Sequence, residues 1–234
     1  MKYIINKRYF FPYRLTVAAL LAVSGLLTTY IGIDHGIVFP LVIGLPLLGI
    51  GLILLILGIV TRLIKGERLD RQITEIAADM PQRARDEFGL AEDTEFLREP
   101  MVISGFLYNT KDAKALAKTE KDGVPRTNIA QAIALLFGTD TLYWYDQEFS
   151  LVFDKDQTFT KYSVKYADIA SAALEDTKVP CESTRMNTLT VMCKTLKLTL
   201  KDGLVISGCF LKNNPDIAPA LAEIKARMKA AKKA

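Results

Sequence analysis

Hydrophobic and polar positions are distributed unevenly along this chain. From Leu15 to Leu63 apolar residues dominate, and only Asp34-His35-Gly36 breaks them into two runs. The first, Leu15 to Ile33, contains no Asp, Glu, Lys, Arg or His. Its length is close to the roughly 20 residues that cross a hydrocarbon core about 30 Å thick. The second, Ile37 to Val60, is equally free of charge and longer, so it spans with some tilt. Each centrally placed Leu, Ile, Val or Phe favours insertion by roughly 0.3–0.6 kcal/mol, whereas a central Lys, Arg or Asp would oppose it by roughly 2.5–3.5 kcal/mol. Neither run carries the polar stripe expected of a helix buried in a soluble core. The pattern predicts a transmembrane hairpin over residues 1–64, with spans at 15–33 and 37–60. A cleaved signal peptide is the poorer reading, because the first run exceeds the usual apolar region of roughly 7–15 residues and no A-x-A-like site precedes the turn.

The flanks orient the hairpin. Lys7, Arg8 and Arg14 precede the first span and Arg62, Lys65 and Arg68 follow the second, while the turn holds Asp34 and no Lys or Arg. The positive-inside tendency then places both termini in the cytoplasm, as in a multi-pass protein of the cell membrane. Gly44, Gly51 and Gly58 recur every seventh residue on one face of the second span, and Ala18, Ala22 and Gly25 form a small-residue stripe on the first. Small residues let membrane helices approach closely, so the two stripes are expected to face each other; the alternative is a homo-oligomer formed through the glycine face. Pro40 lies near a helix start, where proline is tolerated, and Pro46 is expected to bend the helix.

Beyond the hairpin the periodicity changes. Leu69, Ile73, Ile76 and Met80 recur at helical spacing among charges, predicting an amphipathic linker helix within residues 65–92 that Pro81 kinks or ends. Its apolar face can extend the membrane helix as a stalk, lie on the bilayer with Arg62, Lys65, Arg68 and Arg71 near headgroups, or pack on the following domain. Residues 93–234 read as that domain. Met101–Tyr108 is a candidate strand, and Asn109–Arg126 a polar insertion with room for a short helix over Asp112–Lys118. Lys111, Lys114, Lys118 and Lys121 in it are nearly balanced by Asp112, Glu120 and Asp122, which favours a solvated loop over a phosphate site. Asn128–Phe137 fits a helix by composition and a strand by the alternation of Ile129, Ile133, Leu135 and Phe137. Thr141–Phe153 and Thr158–Tyr166 are β-rich runs, divided by a turn at Asp154-Lys155-Asp156. Tyr143, Trp144 and Tyr145 in the first are expected to pack in a core rather than stack on a ligand. After Asp168-Ile169 comes a run to Leu174, then a loop over Glu175–Met186, and Asn187–Leu200 as one bent strand or two short ones. Asp202-Gly203 between apolar flanks predicts a hairpin with a type I′ turn. Asn214 is expected to cap a last helix, with Pro215 at its first position and Ile217, Leu221, Ile224 and Met228 as its apolar stripe.

Composition narrows the function classes. The 234 residues include 30 Lys and Arg against 26 Asp and Glu, a net charge of +4 that resides largely in the membrane flanks and C-terminal tail, which does not point to a nucleic-acid partner. The single histidine, His35, falls in the turn between the spans, so the domain has no imidazole for a Ser-His or Cys-His pair or a zinc site. Cys181, Cys193 and Cys209 fit neither zinc nor CxxC spacing and are expected to be reduced and packed. Glu148, Asp154, Asp156 and Asp168 are the carboxylates nearest to acid and base duty, and no spacing singles out a pair. No catalytic, cofactor-binding or metal residue is assigned, and no cofactor is expected.

Consecutive short strands, the Tyr166-Ala167-Asp168-Ile169 step, the Lys201-Asp202-Gly203 hairpin and one terminal amphipathic helix resemble the pleckstrin-homology-like domain of bacterial membrane-anchored proteins, over about Glu99–Lys229. The resemblance implies an α+β membrane protein whose transmembrane hairpin is followed by a bent seven-stranded β-sandwich or barrel closed by the C-terminal helix. It also implies that Asn128–Phe137 is a strand, and a role in binding proteins, peptides or lipid headgroups. The loop after the first strand lacks the basic cluster of lipid-phosphate binders of this fold, and no binding residue is carried over. Two functions follow as expectations. One is an anchored binding or scaffolding protein that recruits a protein partner through a sheet edge or the open end of the barrel. The other is reading of anionic lipid through Lys225, Arg227, Lys229, Lys232 and Lys233, against which stands simple solubility of the helix's outer face.

Overall fold

A computed structural model describes residues 2–11, 15–91, 94–108, 115–153, 157–184 and 188–232. Arg14, Lys111, Lys114, the Asp154–Asp156 turn and Lys233 lie outside the described residues. The chain forms two compact units, Met1–Gly66 and Glu67–Ala234.

The first unit consists of α1 (Lys2–Phe10), α2 (Leu15–Asp34) and α3 (Val38–Arg62). α2 and α3 are long and apolar enough to cross a membrane. They pack along the small-residue stripes: Ala18, Ala22 and Gly25 of α2 and Gly44, Gly51 and Gly58 of α3 are all buried. A Cβ at Gly25 would collide with the main chain of Leu48, one at Gly44 with Thr29, and one at Gly51 with the main chain of Ala22. Close approach of two backbones requires glycine at these positions, and dispersion across the contact supplies the attraction. The glycine face is thereby occupied inside the hairpin. Hydroxyls within the spans satisfy themselves against the preceding turn: Ser24 donates to the Leu20 carbonyl at 2.7 Å, Thr28 to Ser24 at 2.7 Å and Thr29 to Gly25 at 2.8 Å. α3 continues through Pro46.

The second unit is α+β. A four-stranded antiparallel sheet has the order β1-β4-β5-β6, from Met101–Phe106, Ile129–Phe137, Thr141–Ser150 and Gln157–Lys165. A five-stranded sheet has the order β3-β2-β7-β8-β9, from Pro125–Thr127, Leu116–Thr119, Ile169–Ser183, Thr188–Leu200 and Val205–Leu211. α4 (Glu67–Phe88) precedes the sheets and α5 (Ile217–Ala231) follows them. The core joins Ile103, Ile133, Leu135, Leu142 and Trp144 of the first sheet to Leu196, Leu198, Ile206 and Phe210 of the second, with Ile217, Ala220 and Ile224 of α5. Gly208 lets the sheets close, since a Cβ there would run into Ile133.

Several elements depart from the sequence expectation. The linker helix is part of the second unit: α4 packs on β1 and β4 and buries Leu69, Ile73, Ala77, Met80 and Ala84, so its apolar face is not available to a bilayer. It also runs through Pro81, and Gly89 stops it instead. At φ 63° Gly89 sets a left-handed residue after the last turn, with the Leu90 N–H on the Arg85 carbonyl at 3.0 Å and the Gly89 N–H on Asp86 at 3.1 Å. Asn128–Phe137 resolves as strand β4. Residues 116–118, offered above as helix, form β2, which pairs parallel with β7 at Leu116↔Glu182. The expected loop Glu175–Met186 is strand as far as Ser183. Its polar residues find cross-strand partners, Lys197 on Glu175 at 3.1 Å and Thr177 beside Thr195 at 3.1 Å, and Lys212 reaches Asp176 at 3.4 Å. The Lys201-Asp202-Gly203 turn is a three-residue loop, not a two-residue one: the Leu200 N–H bonds the Leu204 carbonyl at 2.8 Å and Gly203 takes φ 89°. α5 begins two residues beyond Pro215, because the Asn214 carboxamide accepts from the Asp216 N–H at 3.0 Å and donates to the Ser104 carbonyl at 2.8 Å, tying the chain to β1 first.

The helix contact in the first unit yields a test. Gly25→Ala and Gly51→Ala should each destabilise the hairpin by about 1–3 kcal/mol, the usual cost of overpacking. Gly49→Ala, where no atom lies within 4 Å of the added methyl, should be neutral. Thermal unfolding of the full chain in detergent micelles separates the two cases.

Candidate interaction surfaces

The five basic residues near the C-terminus do not act as one group. Lys225, Lys229 and Lys232 are exposed and fall at i, i+4 and i+7, a single outward stripe of α5. Arg227 is engaged: its Nε donates to Glu223 at 2.8 Å, and Arg98 reaches the other carboxylate oxygen at 2.9 Å. Partial burial works against ionisation of Glu223, but the hydrogen bonds from Arg227 and Arg98 hold its carboxyl below the ordinary value. This guanidinium pair fixes α5 to the segment before β1.

Two open grooves border the second sheet. One, of about 660 Å³, runs beside β6 and is lined by Lys161 to Lys165 in unbroken succession, with Asp168, Lys201 and Asp202 opposite. Successive side chains of a strand point to opposite faces. Five consecutive residues can line one groove only if it follows the strand's edge, and β6 is indeed a terminal strand of its sheet. The Lys161 ammonium is tethered to α4, to the carboxylate of Glu87 at 3.3 Å and to the same residue's carbonyl. Phe159, on the same strand, is 53% exposed. The second groove, about 500 Å³, lies between the Asp122–Pro125 turn, Leu189–Met192 of β8 and Leu211–Asn213. Here too four consecutive strand residues contribute, because the ladder of β8 with β9 ends at Cys193↔Leu211.

Beside this groove Arg126 of β3, its side chain 4% exposed, clamps the β2–β3 hairpin to α4. Its Nε and one terminal nitrogen grip the two oxygens of Asp70 at 3.0 and 2.7 Å, and the same terminal nitrogen meets Asp122 at 2.8 Å. The Asp70 hydrogen bonds, with those of Asp122, raise the guanidinium further above its ordinary value, and Arg126 in turn lowers the Asp122 carboxyl. A bidentate guanidinium–carboxylate pair is directional as well as strong.

No protein-family model, curated protein or solved structure matches the chain.

Two features were missed in the sequence. Asp146 lies inside β5, two residues from Trp144 on the inner face of the first sheet, with Gln131 Nε2 donating to both its oxygens at 3.0 and 2.9 Å. Burial outweighs that hydrogen bond, and Glu148 adds repulsion, so its carboxyl is pushed up to about 7. Its neighbours Tyr145 and Gln147 gave no signal that this position faces inward. The other is a thiol cluster, since Cys181, Cys193 and Cys209 come to adjacent strands β7, β8 and β9. Among the described residues no group of His, Cys, Asp and Glu is placed to hold a metal ion. Glu148 and Asp168, the other described carboxylates singled out above, come from β5 and from the 3-10 turn Tyr166–Asp168, and are not brought together.

Asp146 makes stability depend on pH. Its folded value near 7, against an ordinary 3.8, means that the folded state holds a proton the unfolded state releases. The contribution is complete below about pH 4 and is lost as pH rises through about 7. Asp146→Asn should remove this slope, leaving a protein of higher Tm than the unsubstituted chain at pH 8, with the difference narrowing as pH falls and vanishing at about pH 4, by thermal melts across that range.

Proposed function

We propose that this chain is a membrane-anchored binding protein of the bacterial inner membrane, with both termini cytoplasmic, whose second unit is a pleckstrin-homology-like domain that recruits a protein partner. The charge of the flanking segments supports the orientation: Lys7, Arg8, Lys65 and Arg68 lie on one side of the two apolar helices and Asp34 on the other. Strand order supports the fold: β1, β4, β5 and β6 form one antiparallel sheet, β7 to β9 add three further strands in meander, and a helix follows. Seven strands followed by one helix are what the resemblance implies, with the β2–β3 hairpin inserted after the first strand. The observation that carries the binding role is the outer edge of β6, which among the described residues pairs with β5 alone and runs along an open groove. An unpaired edge offers main-chain donors and acceptors to an extended segment, and the groove offers pockets for its alternate side chains.

A second reading draws on the exposed stripe of Lys225, Lys229 and Lys232. Near an anionic bilayer each lysine gains about 1 kcal/mol, falling off within a Debye length. Arg227 is withdrawn from that role by Glu223.

A photo-crosslinking amino acid placed at Ser163 or Lys165 in living cells should capture a companion protein that is not captured from Ala78 on the outer face of α4. Capture from all three positions alike, or from none, rejects the β6 edge as the recruiting surface. The lipid reading is tested separately in the full chain reconstituted in vesicles. Exchanging the three lysines for Glu should abolish salt-sensitive protection of α5 by anionic lipid, and unchanged protection rejects it.

A further inference from the structure

We propose that the occupant of the β6 edge is β6 of a second copy of this chain, paired antiparallel about a two-fold axis at Tyr162. The inference rests on the reading of that edge as a recruiting surface and names its partner. Hydrogen bonding within the sheet decides what the edge presents. The Tyr166 N–H donates to the Asp140 carbonyl at 3.0 Å, one step beyond the Thr141↔Lys165 pair. Bonded and non-bonded pairs alternate along an antiparallel ladder. Tyr162 and Val164 therefore bond back to β5, and the main-chain groups of Phe159, Lys161, Ser163 and Lys165 point away from it. Among the described residues no other strand pairs with β6, and the groove beside Lys161–Lys165 leaves those groups accessible. The side chains of Gln157–Lys161, Ser163 and Lys165 are exposed as well.

Charge along the strand selects both the partner and the register. A two-fold axis normal to the sheet keeps like faces of the two copies level, so one residue must lie opposite itself. Centred on Lys161, the ladder would set two ammonium groups against each other, and centred on Ser163 it would set Lys161 against Lys165. Like charges directly opposite are destabilising. Centred on Thr160, it would place Phe159 opposite Lys161, whose ammonium Glu87 already holds, and would leave Lys165 without a partner in the strand. Tyr162 at the centre removes each conflict. Lys161 falls opposite Ser163, Thr160 opposite Val164, and Phe159 opposite Lys165. Phe159, an aromatic ring 53% exposed on a strand edge, is then covered by a cation on the same face, a favourable pairing. The four outward residues of each copy supply about eight main-chain hydrogen bonds between them. Tyr162, opposite Trp144 on the inner face, meets its counterpart at a non-bonded pair, where side chains stand closest. One shared strand edge is a small interface, and confinement of both copies to one bilayer by α2 and α3 supplies the effective concentration it needs.

The test uses the full chain in phospholipid vesicles, with the unsubstituted chain and its three native cysteines as control. Tyr162→Cys should form a disulfide between two copies on mild oxidation, because Cα atoms at a non-bonded pair stand about 4.5 Å apart. Thr160→Cys and Val164→Cys should form none singly and should form one when the two variants are mixed. A photo-crosslinking amino acid at Ser163, a position that leaves the inner face intact, should join two copies, with the second attachment near Lys161. Phe159→Lys should cut that adduct about tenfold by opposing Lys165 at both symmetric contacts, and adding Lys165→Glu should restore it. Self-linking of Thr160→Cys as readily as of Tyr162→Cys overturns the register. In living cells, an adduct from Ser163 with a different protein overturns self-pairing and upholds the recruiting edge, whereas no adduct there overturns both.

Discussion

Burial of β4 on both faces is the constraint on which the second unit depends. All nine residues from Ile129 to Phe137 are buried. Ile133, Leu135 and Phe137 point into the core between the sheets, and the intervening Ala130, Ala132 and Ala134 form a shallow face on which α4 packs. Small side chains there let the helix approach closely, and each large apolar residue α4 places against the strand contributes about 1.5–3 kcal/mol. The helix that leads out of the hairpin segment is therefore a third layer of the domain. The Arg126–Asp70 pair then fixes that layer to the β2–β3 hairpin with direction as well as energy.

A sheet anchored at its centre in this way leaves its consequences at the edges. β1 lies against β9 at one corner, while β6 at the other pairs, among the described residues, with β5 alone. Lysines at 161 and 165 discourage indiscriminate pairing along it, as charged residues do on natural edge strands. The long β7–β8 ribbon carries an unusual share of polar residues for a strand pair, and cross-strand ion pairs and threonine contacts replace the apolar packing it lacks. The same ribbon, with β9, gathers the three cysteines on adjacent strands.

The fold was legible wherever a signal is local. Gly44, Gly51 and Gly58 announced a close helix contact because small residues at fixed spacing have few other uses in an apolar run. The β5 and β6 strands were legible from aromatic and β-branched content. The last helix was legible from its apolar stripe, displaced by two residues because Asn214 bonds β1 before the helix starts. Legibility failed where pairing decides. A doubly buried strand loses the alternation that would separate it from a helix, which is why the residues of Asn128–Phe137 by themselves fit either; α4 covers its second face. Glu175–Ser183 looked like a loop because its charges are satisfied by partners on β8 and beyond β9, and no window of sequence contains both. The site residues followed the same rule: the lysine stripe is local, as is the Glu223–Arg227 pair four residues apart, but the contact of Arg98 with Glu223 spans 125 positions and no window of sequence contains it.

By itself, then, the amino-acid sequence determined that this chain carries two uncharged apolar helices suited to a bilayer and a separate unit rich in strands, because hydropathy and helix period are properties of neighbours along the chain. Only the tertiary structure decided that α4 belongs to the domain, that β6 pairs among the described residues with β5 alone, that Asp146 lies inside, and that the three cysteines gather on adjacent strands. Those outcomes depend on which distant segment covers a face or completes a ladder. The energy that settles them comes from desolvation and hydrogen bonds formed between strands far apart in sequence.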